Sequence, residues 1–441
     1  MERKVSQNLL SYKLDEALAQ PIASLTPRDI RLPQVRGKAF AVVGVRRGGK
    51  TSFLQRRIAE HLSKGLPRES QLMLSLEDER LVGMTALDLG WILEEHARRF
   101  PGIRQSGELS LYLDEVQLVE GWEVLVRRLI DEGGIQMFVS GSSAKLLSTE
   151  VATSLRGRAL EVLVYPFSFR EALRHAGKEP TVPWQSITPP ERTELDAFVR
   201  SYLEEGGFPE ARGLERRDRI KLLGTYVDVM VLRDVIDRHD VSNVQALRWL
   251  QRHLLSTPGG NFSINKLYNS LRSQGVAVAK DTLYDYLDHL QDAFLVRTVS
   301  MYSRSERQRM ANPRKAYPID PGLIPLYSRE GREHQGRTLE TAVLVELERR
   351  AYAADWMRTE DGWEVNFFAE RTGDPPLLIQ VSLDTEDEET WKREVRALDA
   401  AKKVHPGARA LLITLDASPP SRMLPEGLEW CPATRWFLEE E

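Results

Sequence analysis

The segment GVRRGGKT, residues 44–51, carries residue types that bind the phosphates of a nucleotide. A glycine-rich loop lets backbone N–H groups surround phosphate oxygens, and a helix that starts at its end adds a favourable dipole. In such a loop Lys50 would reach the β- and γ-phosphates, and the Thr51 hydroxyl would be a ligand of Mg²⁺. We therefore predict a site for ATP and Mg²⁺ at Gly44, Arg47, Gly48, Gly49, Lys50, Thr51 and Ser52.

The neighbours of this loop have the pattern that a phosphate-binding motif requires. The apolar run AFAVV precedes it at residues 39–43, and SFLQRRIAEHL comes after it at 52–62 with helical periodicity. The alternative, a chance glycine-rich turn, does not account for a loop between a buried strand and a helix. The context therefore favours a strand–loop–helix phosphate site.

Two carboxylates end a second apolar run, LSLYLDE at residues 109–115. A buried strand here would deliver Asp114 and Glu115 to the carboxyl edge of a sheet. Asp114 would hold the Mg²⁺, and Glu115 would polarise the attacking water. By itself an Asp-Glu pair after a strand is usually the start of a solvated loop. Together with the phosphate loop, and with one strand candidate between them at 71–76, it predicts an ATPase.

The next apolar run, IQMFVSG at residues 135–141, ends in serines at the same predicted edge. Ser140 or Ser142 could sense the γ-phosphate through a hydrogen bond. The alternative is that both are serines of a tight turn that begins at Gly141.

The elements that must position these residues are apolar runs that alternate with helical patterns. Continuous apolar strands separated by helices are typical of a parallel sheet covered on both faces, so we predict an α/β fold. The strand candidates are 39–44, 71–76, 109–114, 135–141 and 160–166, and the helices between them include 52–62 and 122–131.

The composition bounds the class of protein. A chain of 441 residues suggests about three units of roughly 150 residues each. With 61 Lys and Arg against 65 Asp and Glu, the formal charge of −4 excludes a basic chain that coats nucleic acid. The single cysteine, Cys431, excludes an internal disulfide and favours a reducing, cytoplasmic location. No apolar run approaches ~18 residues, so we expect no membrane span.

A local basic patch lies in SRSERQRMANPRK, residues 303–315, where five basic residues and one acid, Glu306, give a charge of +4. We interpret it as the tip of a β-hairpin, or wing, that contacts the backbone of nucleic acid without reading its sequence. The alternatives are a solvated loop and a loop that pairs with an acidic surface of a neighbouring subunit. The predicted contacts are Arg304, Arg307, Arg309, Arg314 and Lys315.

Two helical patterns before this patch, 262–275 and 280–295, predict a helix–turn–helix. The outer face of the second pattern carries Asp281, Asp285 and Asp288. Because carboxylates repel phosphates, we expect this helix to serve in packing rather than to read a DNA groove.

Taken together, the chain resembles a family of prokaryotic AAA+ ATPases with a C-terminal domain of unknown function. The resemblance covers roughly residues 36–415. The blocks that carry it are GVRRGGKT (44–51), YLDEVQ (112–117), GWEVLVRRL (121–129), SGSSAKLLSTEVATSLRGR (140–158), PFSFREAL (166–173), GGFPE (206–210), LRDVIDRH (232–239), NPRKAYPIDPGL (312–323) and LETAVLVELERR (339–350).

The resemblance implies an α/β fold with a P-loop NTPase (AAA+) core, a helical lid, a winged-helix domain and an α/β C-terminal domain similar to PD-(D/E)xK nucleases. We divide the chain accordingly into an N-terminal arm (1–35), the ATPase core (36–170), the lid (171–242), the winged helix with its basic hairpin (243–325) and the nuclease-like domain (326–441).

The resemblance also implies an arginine that completes the site of a neighbouring subunit in a homo-oligomer. The block LRGR offers Arg156 or Arg158, because a guanidinium can neutralise charge spread over phosphate oxygens. The alternative is that each pairs with carboxylates of its own subunit. Arg233 and Arg238 are second candidates.

The nuclease-like domain departs from the pattern of active nucleases. Glu340 matches one acid, but Asn366 stands where an aspartate is expected. The E-x-K position reads Gln380-Val381-Ser382, and a neutral amide is a poor Mg²⁺ ligand. We expect an inactive domain retained for DNA binding or assembly. The run DTEDEE, 384–389, is interpreted as a solvated acidic helix start rather than a metal site.

The leading functional hypothesis is a Mg²⁺-dependent AAA+ ATPase that binds duplex or branched DNA as an oligomer and couples ATP hydrolysis to DNA clamping or remodelling. The alternative is a nucleotide-controlled switch or scaffold that recruits protein partners.

Overall fold

The computed structural model describes residues 5–35, 37–141, 155, 157–311, 313–328 and 332–439. The chain divides into two compact units, Met1–Tyr165 and Pro166–Glu441. Within the described ranges, no helix is both long and apolar enough to span a bilayer.

The first unit is built on a parallel five-stranded sheet in the order β2-β3-β4-β1-β5. The predicted parallel sheet is therefore confirmed. Because all five strands run the same way, their carboxyl ends meet at one edge. The strands are β1 (Ala39–Val43), β2 (Gln71–Ser75), β3 (Leu109–Asp114), β4 (Ile135–Ser140) and β5 (Ala159–Leu163). The helices are α1 (Gln7–Ala19), α2 (Lys50–Ser63), α3 (Ala86–Arg99), α4 (Pro101–Ser106) and α5 (Trp122–Glu132).

Aromatic side chains hold the three middle strands of this sheet in register. Phe138 on β4 stacks on Phe40 of β1, with ring centroids 5.0 Å apart, and on Tyr112 of β3, at 4.9 Å. All three are buried, together with Phe53 and Ile58 of α2. Burying large apolar side chains is the main favourable term here, and truncation of one such Phe costs about 3–5 kcal/mol. This core fixes the sheet edge at which β1 and β3 end.

The second unit begins with helices α6 (Phe169–His175), α7 (Pro189–Glu205) and α8 (Arg216–Val229). A capping box begins α6, in which Ser168 and Glu171 satisfy each other's backbone N–H groups. A seven-residue π-helix, Met230–Ile236, continues α8 and passes into a short helical turn, Asp237–His239. In the π-helix hydrogen bonds reach back five residues, so the helix is wider than an α-helix there.

Two glycine-containing segments, distant in sequence, meet in this unit. The carboxylate of Asp320 accepts hydrogen bonds from the N–H groups of Gly207, at 2.7 Å, and Gly322, at 2.9 Å. A Cβ atom at Gly322 would lie 2.4 Å from the carbonyl oxygen of Glu205, so only glycine allows this approach. Burial raises the pKa of the Asp320 carboxyl to about 6. The blocks GGFPE and NPRKAYPIDPGL thus form one contact.

The next part of the chain has a helix–strand–helix–helix–strand–strand order. Helices α9 (Val244–Ser256), α10 (Ile264–Ser273) and α11 (Lys280–Asp292) precede an antiparallel sheet in the order β6-β8-β7. Its strands are β6 (Asn261–Phe262), β7 (Val296–Val299) and β8 (Arg314–Pro318). The β7–β8 connection contains a short helix, α12 (Glu306–Ala311). The basic patch is therefore not a simple hairpin tip, because its last two predicted residues, Arg314 and Lys315, already belong to β8.

The chain ends with a mixed five-stranded sheet in the order β13-β12-β11-β10-β9. Its strands are β9 (Ala353–Arg358), β10 (Glu364–Glu370), β11 (Leu377–Ser382), β12 (Arg409–Thr414) and β13 (Leu428–Pro432). The strands β9, β10 and β11 pair antiparallel, and β11, β12 and β13 pair parallel. Helices α13 (Arg332–Arg349), α14 (Glu388–Val404) and α15 (Ala433–Leu438) contribute to two cores, one with α13 and α15 and one with α14.

Candidate nucleotide site

The predicted phosphate loop connects the end of β1 to the start of α2. At Gly44 the φ angle is +143°, and a Cβ atom there would lie 2.1 Å from the carbonyl oxygen of Val164. At Gly49, which precedes the first residue of α2, φ is +103°. Both conformations disfavour an L side chain, so these glycines are required by the backbone path itself. The residue between them, Arg47, is exposed and also has a positive φ, +66°.

The side chain of Lys50 lies within the loop. It is only 7% exposed, and its ammonium donates to the carbonyl oxygens of Gly44, at 3.0 Å, and Val45, at 3.3 Å. An ammonium held among the backbone groups of a glycine-rich loop is placed to neutralise phosphate charge. The exposed residues Thr51 and Ser52 come next, in the first turn of α2.

The carboxylate of Asp114 is the centre of a small hydrogen-bond group. It is 4% exposed and accepts hydrogen bonds from the hydroxyls of Thr51, at 2.8 Å, and of Ser140. Burial raises the pKa of this carboxyl, since a low-dielectric environment disfavours its charged form. A nearby cation would offset that cost, so the group is suited to a bound metal ion.

This donor set fits Mg²⁺, which prefers oxygen ligands such as those of hydroxyl, carboxylate and phosphate groups. Thr51 and Asp114 are in direct contact, so the structure brings together the two residues that were predicted as metal ligands. They come from different elements: Thr51 from the first turn of α2, and Asp114 from the last residue of β3.

Glu115 lies directly after β3, in a turn with a left-handed backbone, φ +58°. Such a conformation is strained for a glutamate and is held by its surroundings. Its N–H donates to the hydroxyl of Ser140 at 3.1 Å, and its carboxylate accepts from the side-chain amide of Gln117 at 2.5 Å. Sequence reasoning missed Gln117 as the orienting residue. The signal was the polar side chain two positions after the glutamate in YLDEVQ.

Ser140 is hydrogen-bonded to both acidic residues of the site. Its hydroxyl donates to Asp114 and accepts from the N–H of Glu115, so it connects the two acidic residues. Its side chain is fully buried, which agrees with a positioning role. The other predicted serine, Ser142, lies outside the described residues.

The N-terminal arm adds a residue that sequence reasoning did not assign. The guanidinium of Arg28 donates to the carbonyl oxygen of Gly48 at 3.2 Å and also to that of Tyr165. Arg28 therefore stabilises the phosphate loop although it belongs to neither β1 nor α2. No motif in residues 20–35 marks this arginine, because its partners are backbone groups.

The predicted trans-acting arginine Arg158 pairs in this subunit with Asp131, at 2.8 Å. It precedes the first residue of β5, so it lies at the amino edge of the sheet, opposite the loop of Gly44–Thr51. The site and Arg158 are thus not brought together within one subunit. Arg156 lies outside the described residues, and Arg233 pairs with Asp237 at 3.2 Å.

The predicted nucleic-acid contacts separate into two groups. Arg304 and Arg307 are exposed, whereas Arg309 donates to Asp355 at 3.0 Å and Arg314 is half-buried in β8. Lys315 is 2% exposed, so the structure contradicts its predicted role. A buried ammonium cannot reach a phosphate on the surface.

The reason for the burial of Lys315 is a pair of glutamates. Its ammonium lies 2.7 Å from Glu364 and 3.5 Å from Glu340, and the hydroxyl of Tyr317 donates to Glu340 at 2.7 Å. A buried ammonium such as that of Lys315 is stable only when it is paired. Glu340, the acid that matched the nuclease pattern, is therefore bound to Lys315 and Tyr317.

The two amides of the nuclease-like pattern belong to a separate hydrogen-bond group. The N–H of Asn366 donates to the side chain of Gln380 at 3.2 Å, and the N–H of Val381 donates to the side chain of Asn366 at 2.9 Å. The amide nitrogen of Gln380 donates to Glu394. Both amides thus hold β10, β11 and α14 together.

Two family models match parts of this chain. The model of the AAA domain matches residues 36–173, and that of a domain of unknown function (DUF8612) matches residues 197–331. The uncharacterized protein MJ1544 of Methanocaldococcus jannaschii is 31% identical over 385 residues, which cover 86% of this chain and 82% of that protein. This chain belongs to the MJ1544 family.

An uncharacterized protein of Haemophilus influenzae is 30% identical to this MJ1544-family chain over 345 residues, 78% of this chain and 82% of that protein. Since the AAA-domain match includes the loop, Asp114 and Glu115, the first unit is an AAA-type P-loop ATPase domain.

Solved structures resemble this MJ1544-family chain only distantly. The Walker-type ATPase PABY2304 of Pyrococcus abyssi matches 74% of this chain and 96% of that chain, with 15% identity and a TM-score of 0.41. The Aeropyrum pernix ORC2 protein in its ADP form matches 74% of this chain and 93% of that chain, with 14% identity and a TM-score of 0.30. Likenesses at this distance do not indicate a function.

Proposed function

We propose that this protein hydrolyses ATP with Mg²⁺ at the loop of residues 44–51. The observation that carries the proposal is the 2.8 Å hydrogen bond between Thr51 and Asp114, with Glu115 directly after the aspartate. A hydroxyl and a carboxylate that share a metal, next to a second carboxylate for water, are the parts that hydrolysis of a phosphoanhydride needs.

Each residue has a distinct role in this proposal. Lys50 neutralises charge on the β- and γ-phosphates, and Thr51 and Asp114 hold the metal. When bound, Mg²⁺ neutralises charge that develops on the phosphate oxygens. Glu115, held by Gln117, orients and polarises the water that attacks the γ-phosphorus.

A trans-acting Arg158 belongs to the same proposal. Its guanidinium is about one third exposed, and its partner Asp131 is more than half exposed. A solvent-exposed ion pair of this kind contributes roughly 0–1 kcal/mol, so exchange of Asp131 for a phosphate of a neighbouring subunit costs little. We propose that ATP binds between subunits of a homo-oligomer.

We keep the predicted domain division at 171–242, 243–325 and 326–441 as part of this proposal, although α6 and α7 share one hydrophobic core with α13 and α15. The proposal of a winged helix is supported by the order of elements from α9 to β8, with α12 inserted between β7 and β8, and by the three-stranded antiparallel sheet. The proposal of a nuclease-like fold is supported by the order helix, three strands, helix, strand from α13 to β12, after which β13 and α15 are added. Because Glu340 is paired with Lys315 and the other metal positions are amides, we propose that it does not cleave DNA.

DNA binding is proposed for the β7–β8 connection, with a smaller set of contacts than the sequence predicted. Arg304 and Arg307 remain exposed there and are suited to phosphate contacts. A nucleotide-controlled switch that recruits proteins is the second candidate. It is favoured by three exposed carboxylates on α11, Asp281, Asp285 and Asp288, which repel a DNA backbone.

The ATP site is tested by a Lys50→Ala variant. We expect it to lose nucleotide binding, measured by calorimetry with ATP and Mg²⁺, because the ammonium inside the loop is gone. Lys64→Ala is the matched control, an exposed lysine just after α2. Normal affinity in Lys50→Ala, with wild-type affinity in the control, would remove the phosphate-loop proposal.

DNA binding is tested by salt dependence. An Arg304→Gln/Arg307→Gln variant should bind duplex DNA more weakly and flatten the log–log salt slope by about two units. Lys403→Gln, an exposed lysine on α14, is the control. If the wild-type chain binds neither duplex nor forked DNA and its ATPase is not stimulated by them, the switch is the better function.

A further inference from the structure

Three metal-type side chains come together away from the nucleotide loop. Within the part of the chain that the structure describes, the ligand atoms of His239, His289 and Asp292 all lie within 4.8 Å of one another. The imidazole rings of His239 and His289 are stacked, with centroids 3.6 Å apart and planes 9° from parallel. All three residues are half-buried.

The local structure explains why these side chains meet. His289 and Asp292 are three residues apart on α11, so they lie on one side of that helix. The opposite side is held in the core by Leu283, Leu287 and Leu290, which fixes the rotation of the helix. The side of α11 that carries His289 and Asp292 therefore has a fixed orientation.

The third ligand is placed by an unusual helix. His239 is the last residue of the turn after the π-helix Met230–Ile236, and Asp240 ends this turn with a left-handed φ of +48°. A π-helix is rare in proteins and occurs frequently at functional sites, because its extra residue changes the direction of the side chains that come after it. Here it directs His239 toward α11.

The chemistry of the three groups selects a class of metal. Two imidazole nitrogens and one carboxylate suit Zn²⁺ and its neighbours Co²⁺ and Ni²⁺, whereas Mg²⁺ prefers oxygen ligands. An imidazole binds a metal through a ring nitrogen that carries no proton.

We propose that His239, His289 and Asp292 bind one Zn²⁺-class ion, with water at the remaining position. The lone pair of an imidazole nitrogen lies in the plane of its ring, so the two parallel rings must turn out of their stack to bind one ion. The bound ion joins the end of the π-helix segment to α11. The site is independent of the ATP site, since it shares no residue with it.

Zinc titration of the intact chain tests this proposal. After treatment with a chelator, we expect calorimetry with Zn²⁺ in excess Mg²⁺ to show one ion per chain bound with micromolar or tighter affinity. Co²⁺ in its place should give a visible absorption band typical of a low-coordinate site with nitrogen ligands. Loss of a residue that only orients a zinc ligand already weakens affinity by about 10–100-fold, so loss of two ligands in His239→Ala/His289→Ala should exceed that.

Two further variants separate metal binding from folding. Asp292→Asn keeps the size of the side chain and should weaken Zn²⁺ binding while leaving the circular dichroism spectrum unchanged. His253→Ala, which removes a half-buried histidine stacked on Trp249 of α9, should bind Zn²⁺ like the wild type. The proposal is overturned if the wild-type chain binds no Zn²⁺, or if the double variant and Asp292→Asn bind it with wild-type affinity.

Discussion

Thr51 donates a hydrogen bond of 2.8 Å to Asp114, although the two residues are 63 positions apart in sequence. The bond exists because β1 and β3 are parallel and separated only by β4, so both deliver their last residues to one edge. A hydroxyl from the start of α2 and a carboxylate from the end of β3 thereby become neighbours. The next residue, Glu115, is oriented by Ser140 and Gln117 rather than by a regular element.

The first prediction concerns Glu115. Glu115→Gln should keep ATP binding but lower kcat by about 10²–10⁴-fold, because the variant keeps the shape and removes the base that polarises water. Phosphate release and ATP affinity are the two measurements. Glu120→Gln, which changes an exposed glutamate of the same loop, should turn over normally. Wild-type turnover in Glu115→Gln would assign the base elsewhere.

The second prediction concerns Arg158. If it acts on the neighbouring subunit, Glu115→Gln and Arg158→Ala chains should each be inactive alone and recover activity when mixed. Some interfaces of the mixture then pair an intact Glu115 with an intact Arg158. The measurement is ATPase against mixing ratio. No recovery at any ratio, or a monomer in light scattering with and without nucleotide, contradicts the prediction.

The third prediction concerns the pH dependence of stability. The pKa of Asp320 is raised to about 6 from an ordinary 3.8 by burial. The protonated carboxyl is therefore favoured in the folded chain, and its stabilising contribution is complete below pH 3.8 and lost as pH rises through about 6. The shift corresponds to a loss on the order of 2–3 kcal/mol.

Chemical denaturation of the wild type and Asp320→Asn between pH 4.5 and about 7.5 checks this. The wild type minus variant difference in free energy of unfolding should fall as pH rises, because the variant cannot titrate at this position. A difference that stays constant across this range would show that Asp320 is not the titrating group.

The fourth prediction concerns Lys315. Lys315→Met should lower the free energy of unfolding by about 3–5 kcal/mol, because it leaves the charges of Glu340 and Glu364 without their buried partner. Lys403→Met removes a lysine of similar length from an exposed pair with Asp399 and should cost less than about 1 kcal/mol. Denaturant titration of both variants is the measurement. Equal effects would mean that Lys315 is not buried.

The fifth prediction compares a glycine that is closely packed against backbone atoms with a glycine that has open space around it. Gly322→Ala should lower the free energy of unfolding by at least about 1–3 kcal/mol, because its Cβ meets the carbonyl oxygen of Glu205. Gly224→Ala, in α8 with open space around it, should raise the free energy of unfolding by about 0.5–1 kcal/mol through helix propensity. Melting curves that rank the two variants in the reverse order would contradict the close approach.

The elements around the nucleotide site were predictable because each leaves a strong local signal. β1, β3 and β4 are continuous apolar runs, and the loop before α2 has a fixed spacing of glycines and lysine. β9 and β13 were not predicted, because AADWMR and LEWCP mix small, polar and aromatic residues without a clear period. Such strands form because a neighbouring strand supplies their hydrogen bonds.

Side-chain partners that are distant in sequence could not be predicted from one chain. The sequence around Lys315 predicts a basic surface, because its carboxylate partners, Glu340 and Glu364, are distant in sequence. His239 and His289 show no ligand spacing, since α11 and the π-helix segment are joined by other helices. The local pattern of a charge or a histidine does not determine its burial.

The direction in which the side chain of His239 points depends on the number of residues in the π-helix Met230–Ile236, which comes just before it. Deletion of one residue there would allow ordinary α-helical hydrogen bonding and turn the subsequent residues by about 100° around the helix axis. His239 would then leave His289, while both side chains remained in the sequence. The loss or gain of a single codon in this stretch would thus abolish the contact between the two imidazole rings, although both histidines would still be present in the chain.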